Sequence, residues 1–166
     1  MTGAPAAMSV QSMIVVEATR EHAFSVFTED IGSWWPPDHH ILDGELAEMV
    51  FEPHVGGHVY DRGVDGRECR WARVLAYDPP ERIVFSWDIT LQWGIEPDAG
   101  KTSEVEVRFI TETPDRTRVE LEHRHLDRHG DGWENMAGAV GSPEGWDSGL
   151  SSFASRLRGA PAQHCA

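Results

Sequence analysis

Residues 46–126 alternate apolar and polar side chains with a period of two, and turns interrupt the alternation every few residues. A period of two is typical of β-strands with one buried face. It predicts six strands, at Leu46–Glu52, Gly57–Arg62, Glu68–Tyr77, Arg82–Trp93, Thr102–Thr113 and Thr117–Leu126. Because no gap between them is long enough for a crossover helix, we expect an antiparallel meander and exclude a doubly wound parallel sheet.

The residues before the meander predict one further strand and two short helices. A β-branched run predicts an opening strand at Val10–Glu17, and Thr19 is suited to cap the helix that follows it. A second short helix is predicted at 29–35, where the pair Pro36-Pro37 ends it.

The residues after the meander predict a loop at 127–142, rich in Gly, Asp and His, and then a helix at 143–158. Ser142 is suited to cap this helix, and Pro143 fits its first position. Its apolar stripe consists of Trp146, Leu150, Phe153 and Leu157. The stripe must cover the apolar face of the sheet. We therefore predict an α+β helix-grip fold, in which a curved antiparallel sheet of about seven strands wraps around a long C-terminal helix.

Composition limits the classes of function. The chain has 166 residues, so we expect a single domain at 9–158 with tails at 1–8 and 159–166. A net charge of −14 argues against nucleic acid as a partner. Without a long apolar run or a secretory signal, no membrane span is expected and a cytoplasmic location is predicted. Cys69 and Cys165 are expected to be free thiols.

Several short motifs occur in a specific order. They are Phe51-Glu52-Pro53 before Gly56-Gly57, Asp78-Pro79-Pro80-Glu81-Arg82 before Val84-Phe85-Ser86-Trp87, the strand from Thr117 to His123, and Gly145-Trp146. With them, residues 10–158 resemble the START-like superfamily, also called SRPBCC or polyketide-cyclase-like. Within it the chain is similar to the branch named after the activator of heat-shock-protein-90 ATPase. The resemblance implies a cavity for lipids, hormones, polyketides or aromatic metabolites, which some members cyclise or dehydrate.

The cavity of such a fold would be lined by large side chains, and seven tryptophans are available for it. Arg73 and Tyr77 could orient a polar group of the ligand. The predicted ligand-binding residues are Trp34, Trp35, Trp71, Arg73, Tyr77, Phe85, Trp87, Trp93, Phe109, Leu121, His123, His125, Trp146, Leu150 and Phe153. The alternative interpretation of each tryptophan is ordinary core packing.

His123 and His125 lie two residues apart on a predicted strand and so are expected to share its inward face. His123 is the candidate catalytic residue, as a general base or acid in the cavity. A metal site is not expected, because nothing in the pattern brings a third ligand to this pair. The sequence has no phosphate-binding glycine loop and no dinucleotide motif, so no cofactor is expected.

Three functions remain open. The first is binding of a small hydrophobic or aromatic molecule without reaction. The second is a cyclase, dehydratase or isomerase that uses His123 for acid–base catalysis and Arg73 or Tyr77 to polarise an oxygen. The third is a co-chaperone-like protein interaction. It is disfavoured because the namesake's activation of the chaperone depends on an additional N-terminal domain. A domain needs on the order of 50 residues, far more than precede the first predicted strand at Val10. Pairing of an edge strand would allow a homodimer.

Overall fold

The computed structural model describes residues 9–36 and 39–164. Its strands are β1 (Val10–Val16), β2 (Leu46–Phe51), β3 (His58–Gly63), β4 (Glu68–Asp78), β5 (Arg82–Trp87), β6 (Ser103–Thr113) and β7 (Arg116–Arg124). Its α-helices are α1 (Arg20–Thr28), α2 (Trp133–Val140) and α3 (Trp146–His164). Single turns of 3₁₀-helix lie at Ile31–Ser33, Ala99–Lys101 and Leu126–His129. Cys165 and the predicted tail at 1–8 lie outside the described residues.

All seven strands form one antiparallel sheet in the order β1-β7-β6-β5-β4-β3-β2. The sheet is curled, and its apolar face holds α1 and α3. This arrangement confirms the predicted α+β helix-grip fold. Among the described residues, no helix combines the length and apolar character needed to cross a membrane.

Strand β6 shows how the sequence separates the two faces of the sheet. Val105, Val107 and Phe109 are at most 2% exposed and face the helices. The alternate residue Glu106 faces outward, where its carboxylate accepts hydrogen bonds from Arg82 of β5 at 2.6 Å and Arg124 of β7 at 2.5 Å. The apolar face builds the core, while these ion pairs join neighbouring strands on the other face.

Helix α3 lies across the apolar face, as its stripe predicts. Leu150 and Phe153 are almost completely buried. The ring of Phe153 lies 5.2 Å from that of Phe27 in α1 and 5.3 Å from that of Trp34. The Ser152 hydroxyl donates a hydrogen bond to the Trp34 carbonyl at 2.5 Å, which also holds this part of the helix next to Trp34.

The predicted strand at 82–93 is too long. Strand β5 ends at Trp87, and a single bridge between Ile89 and Ile95 follows. The chain reverses between them because the Thr90 hydroxyl accepts a hydrogen bond from the Gly94 amide at 2.9 Å, and Trp93 adopts a left-handed φ of 65°. The apolar alternation continues through this turn, so periodicity alone does not reveal it.

The predicted loop at 127–142 contains the helix α2. Met136 and Val140, one helical turn apart, are buried and hold this helix against the core. Ser142 does not cap the next helix, because its hydroxyl donates to the Ala139 carbonyl at 2.8 Å and so closes α2. Helix α3 therefore begins at Trp146, three residues after the predicted start, and runs past the predicted end at 158. The short helix predicted at 29–35 is only the 3₁₀ turn at Ile31–Ser33.

Strand β4 does not keep the strict alternation that the sequence predicts. The pairing of β4 with β3 skips Trp71, which has no partner residue there. The pairing of β4 with β5 skips Leu75 in the same way. Each extra residue is a β-bulge, which changes the face on which the following side chains lie. Trp71 and Val74 are therefore buried, whereas Leu75 is 37% exposed and Arg73 pairs with Asp88.

Candidate functional site

A cavity of about 430 Å³ opens between the first turns of α3, strands β3 to β5, and residues 35–36 and 39–41. Its volume lies within the range of small-molecule sites, about 300–1,000 Å³. The lining residues are Trp35, Pro36, His39, His40, Ile41, Asp61, Trp71, Trp87, Ile89, Trp93, Ala139, Val140, Glu144, Gly145, Trp146 and Gly149. Most of this surface is aromatic or aliphatic, and the polar groups are few.

Four of the lining tryptophans contact one another in a closed ring, which we call the tryptophan quartet: Trp35, Trp71, Trp87 and Trp146. The distance between side-chain ring centroids is 5.2 Å for Trp35 and Trp71, 5.7 Å for Trp71 and Trp87, 5.5 Å for Trp87 and Trp146, and 5.9 Å for Trp146 and Trp35. Three of these four contacts are edge-on. Edge-on contacts are favourable for aromatic pairs, and they stiffen a wall made of large side chains.

The indole N–H groups of the quartet have different surroundings. Trp35 donates to the His39 carbonyl at 3.0 Å, and Trp146 donates to Nδ1 of His123 at 3.1 Å. The Nε1 atom of Trp87 is buried and has no hydrogen-bond partner among the described residues. Trp93, by contrast, is 45% exposed on the reversal after β5 and forms the rim of the cavity.

The polar edge of the cavity is a histidine–carboxylate pair. Asp61 of β3 is 1% exposed, and its Oδ2 lies 2.8 Å from Nδ1 of His40. A carboxylate only accepts hydrogen bonds, so Nδ1 of His40 carries the proton of this bond and Nε2 is the other nitrogen of the ring. The other oxygen of Asp61, Oδ1, is buried without a partner among the described residues.

His123 lies behind the quartet in a chain of buried hydrogen bonds. Its Nδ1 accepts from Trp146, so its Nε2 carries the proton and donates to Ser103 Oγ at 2.7 Å. The Ser103 hydroxyl can then donate to Nε2 of His129, also at 2.7 Å. Burial, with a smaller contribution from the neighbouring His129, lowers the pKa of His123 from 6.5 to about 3. His123 is therefore neutral at physiological pH and holds Trp146 in place.

Of the residues predicted from the sequence, Trp35, Trp71, Trp87, Trp93 and Trp146 line the cavity. The residues that are instead packed in the core are Trp34, Phe85, Phe109, Leu121, Leu150 and Phe153. Tyr77 contacts Phe24 and Phe51, away from the cavity.

The predicted polar residues are placed differently. The Arg73 guanidinium donates to both carboxylate oxygens of Asp88 at 3.0 Å and does not line the cavity. His123 is separated from the cavity by Trp146. His125 was expected to face inward, but β7 ends at Arg124 and His125 is exposed, with a left-handed φ of 61°. The two histidines therefore lie on different surfaces.

The sequence interpretation did not include Asp61, Gly149 or His40 among the cavity residues. A buried strand that reads Val59-Tyr60-Asp61 is a usable signal, because a carboxylate inside a sheet needs a partner. The pairing with His40 spans 21 residues, so no local spacing predicts it.

The fold and the enclosed cavity define a START-like, helix-grip protein. Residues 17–158 match the family described as "Activator of Hsp90 ATPase homolog 1-like protein", and the chain belongs to this family. No curated protein is a significant match to the chain.

Similar solved structures include a synthase and a resistance protein. The anthrahydroquino-γ-pyrone synthase Txn09, complexed with a compound designated SUM, is 42% identical, with a TM-score of 0.63 over 89% of this chain and 95% of that one. CalC, a self-sacrificing resistance protein from Micromonospora echinospora, is 28% identical, with a TM-score of 0.65 over 90% and 93%. A protein from Mesorhizobium loti shares the fold at 18% identity, with a TM-score of 0.62 over 90% and 96%.

Proposed function

We propose that this protein binds a planar aromatic molecule of the polyketide type in the cavity walled by the tryptophan quartet. The observation that carries the proposal is the quartet itself, four mutually contacting tryptophans that all line one cavity of about 430 Å³. Such walls favour flat apolar ligands through stacking and burial of apolar surface. The 42% identity to a synthase of an aromatic pyrone supports the same class of ligand.

Closing the cavity with one added side chain tests this proposal. Gly149 lies on the cavity face of α3, and the nearest side-chain atoms to an added Cβ, on Trp146 and Trp34, are 4.0 Å away. The substitution Gly149→Leu should therefore fold and project its side chain into the cavity. We expect it to weaken binding of 9-fluorenone, a planar tricyclic probe, at least tenfold, the equivalent of about 1.4 kcal/mol.

The matched control is Gly138→Leu in α2, where an added Cβ meets nothing within 4 Å. Gly138 does not line the cavity, so this variant should bind 9-fluorenone as the wild type does. Equilibrium dialysis measures the dissociation constants directly. Equal binding by both variants would contradict the proposed location of the site.

A second candidate function, acid–base ring closure, is favoured by the His40–Asp61 pair. Asp61 fixes the imidazole by accepting from Nδ1, which leaves Nε2 as a base on the cavity wall. In such a step a phenol proton passes to Nε2, the phenolate oxygen attacks the β-carbon of an enone, and the α-carbon takes up a proton. The product is an isomer of the substrate, so no cofactor is consumed.

The probe reaction for this candidate is the conversion of 2′-hydroxychalcone to flavanone, followed by chromatography. The wild type should accelerate the conversion and enrich one enantiomer of flavanone. His40→Gln should lose the acceleration while keeping its affinity for 9-fluorenone, since Gln cannot act as the base. His39→Gln, next to it on the wall, is the control. Racemic product at the uncatalysed rate with wild type would restrict the protein to binding.

A further inference from the structure

Two buried side-chain atoms of the cavity wall have no hydrogen-bond partner among the described residues. Among the described residues, the buried side-chain atoms without a hydrogen-bond partner are Asp61 Oδ1, Trp87 Nε1 and Arg20 Nε. Asp61 and Trp87 both line the cavity, and they are 1% and 6% exposed. Buried polar groups are rarely left unpaired in folded proteins, because each loses its hydrogen bonds to water. These two atoms are therefore candidates for contact with a ligand.

The two atoms require opposite chemistry from a ligand. A carboxylate oxygen only accepts a hydrogen bond, and an indole N–H only donates one. Asp61 cannot turn freely to satisfy Oδ1, since its Oδ2 is held by His40 at 2.8 Å. The matching ligand therefore presents a hydroxyl group to Asp61 and a carbonyl oxygen to Trp87.

The positions of the strands indicate the size of the ligand. Asp61 is on β3 and Trp87 is on β5, and both strands pair with β4. The two strands are thus two inter-strand spacings apart, about 10 Å. The residues are also staggered along β4, because Asp61 pairs with Cys69 while Asp88, next to Trp87, bonds to Trp71. Trp71 of β4 contacts Trp87 at 5.7 Å and provides an aromatic surface between the two groups. A rigid system of two or three fused rings spans such a surface.

We infer that the cavity selects a two- or three-ring aromatic ketone that carries a hydroxyl group, with Asp61 and Trp87 as the specificity-determining residues. This inference rests on the proposed function, because it specifies the ligand class of the same cavity. It adds a requirement for one donor and one acceptor on the aromatic skeleton.

Four kinds of probe separate the two polar contacts. Fluorene carries neither group, 9-fluorenone carries the carbonyl, 2-hydroxyfluorene carries the hydroxyl, and the four monohydroxy isomers of 9-fluorenone carry both. Dissociation constants are measured by equilibrium dialysis. We expect each polar group to tighten binding by about tenfold, as a charged or buried hydrogen bond commonly does. At least one monohydroxyfluorenone should bind about a hundredfold more tightly than fluorene.

Two conservative variants assign each contact to its residue. Trp87→Phe keeps the aromatic ring and removes the N–H, so it should lose the preference for the carbonyl and keep the preference for the hydroxyl. Asp61→Asn keeps the shape of the side chain and, with its carbonyl oxygen on His40, turns an NH₂ group towards the ligand. Its NH₂ can donate to the hydroxyl oxygen, but that bond has no charged partner, so the preference for the hydroxyl should fall while the preference for the carbonyl stays.

The controls are Trp133→Phe and Glu134→Gln, which change a tryptophan and an exposed carboxylate of α2 that do not line the cavity. Both should keep the wild-type preferences, and circular dichroism reports that each variant is folded. If no probe binds the wild type, the proposed function itself fails. If all probes bind the wild type equally, the cavity still binds aromatics but the inferred selectivity is wrong. The same holds if folded Trp87→Phe or Asp61→Asn loses affinity for every probe alike.

Discussion

His123 and Trp146 show how one buried residue prepares the cavity wall. The indole of Trp146, which lines the cavity, is held in place by a hydrogen bond from its N–H to Nδ1 of His123. A protonated imidazole has two N–H groups and no acceptor, so charging His123 would break this bond. Burial opposes that charge and lowers the pKa of His123 to about 3.

The depressed pKa of His123 predicts how stability depends on pH. The unfolded chain takes up a proton near pH 6.5 and the folded chain only near 3, so the unfolded state binds more protons between these values. Stability should therefore fall as pH falls below about 6.5. The slope per bound proton is at most about 1.4 kcal/mol per pH unit. Burial also lowers the pKa of His129, which adds to the slope in the same direction.

Urea unfolding at pH 7 and pH 5.5 measures this slope in a range where carboxylates titrate little. In His123→Gln the side chain can still accept from Trp146 and donate to Ser103, but it cannot take up a proton. We expect this variant to lose less stability than the wild type between the two pH values. Ser151→Ala, at an exposed position of α3, removes no titratable group and should leave the slope unchanged. A slope that is the same in all three proteins would contradict the account of His123.

At the scale of elements, α3 connects the core to the cavity. Its first turns carry Trp146 and Gly149 on the cavity wall, and Phe153 further along is fully buried against α1. Phe153→Ala should destabilise the fold by about 3–5 kcal/mol, as truncation of a buried phenylalanine usually does. Ser151→Ala, at an exposed position of the same helix, should change stability by less than about 0.5 kcal/mol.

Chemical unfolding of both variants measures these differences. Phe153→Ala should also weaken binding of 9-fluorenone, because the helix that carries Trp146 is less firmly docked. An unfolding free energy for Phe153→Ala within about 0.5 kcal/mol of the wild type would mean that α3 is not packed as described.

The elements differ in how far the sequence could predict them. The strands and the stripe of α3 follow from local periodicity, so the fold class and most of the strands were predicted correctly. The face of Arg73 could not be predicted, because the bulges of β4 depend on pairing with β3 and β5. The left-handed turns at Trp93 and His125 also have no glycine to mark them.

At the scale of the whole molecule, the cavity results from incomplete filling of the curled sheet. Toward the edge strand β1, Phe27 of α1 and Phe153 of α3 pack with Phe109 of β6 and fill the concave face. Toward β3 and β4, Gly149 provides no side chain and the tryptophan quartet surrounds the remaining space. The sequence predicted the aromatic wall. It did not predict the polar edge, since the approach of His40 to Asp61 depends on the complete fold.

The tryptophan side chains themselves offer the most direct measurement of the central claim. The indole N–H resonances of ¹⁵N-labelled protein are recorded by two-dimensional NMR during titration with 9-fluorenone. The account predicts saturable shifts for Trp35, Trp71, Trp87 and Trp146, with little change for Trp34 in the core and Trp133 on α2. Shifts confined to Trp34 or Trp133, or no shift in the quartet at saturation, would contradict binding within the cavity.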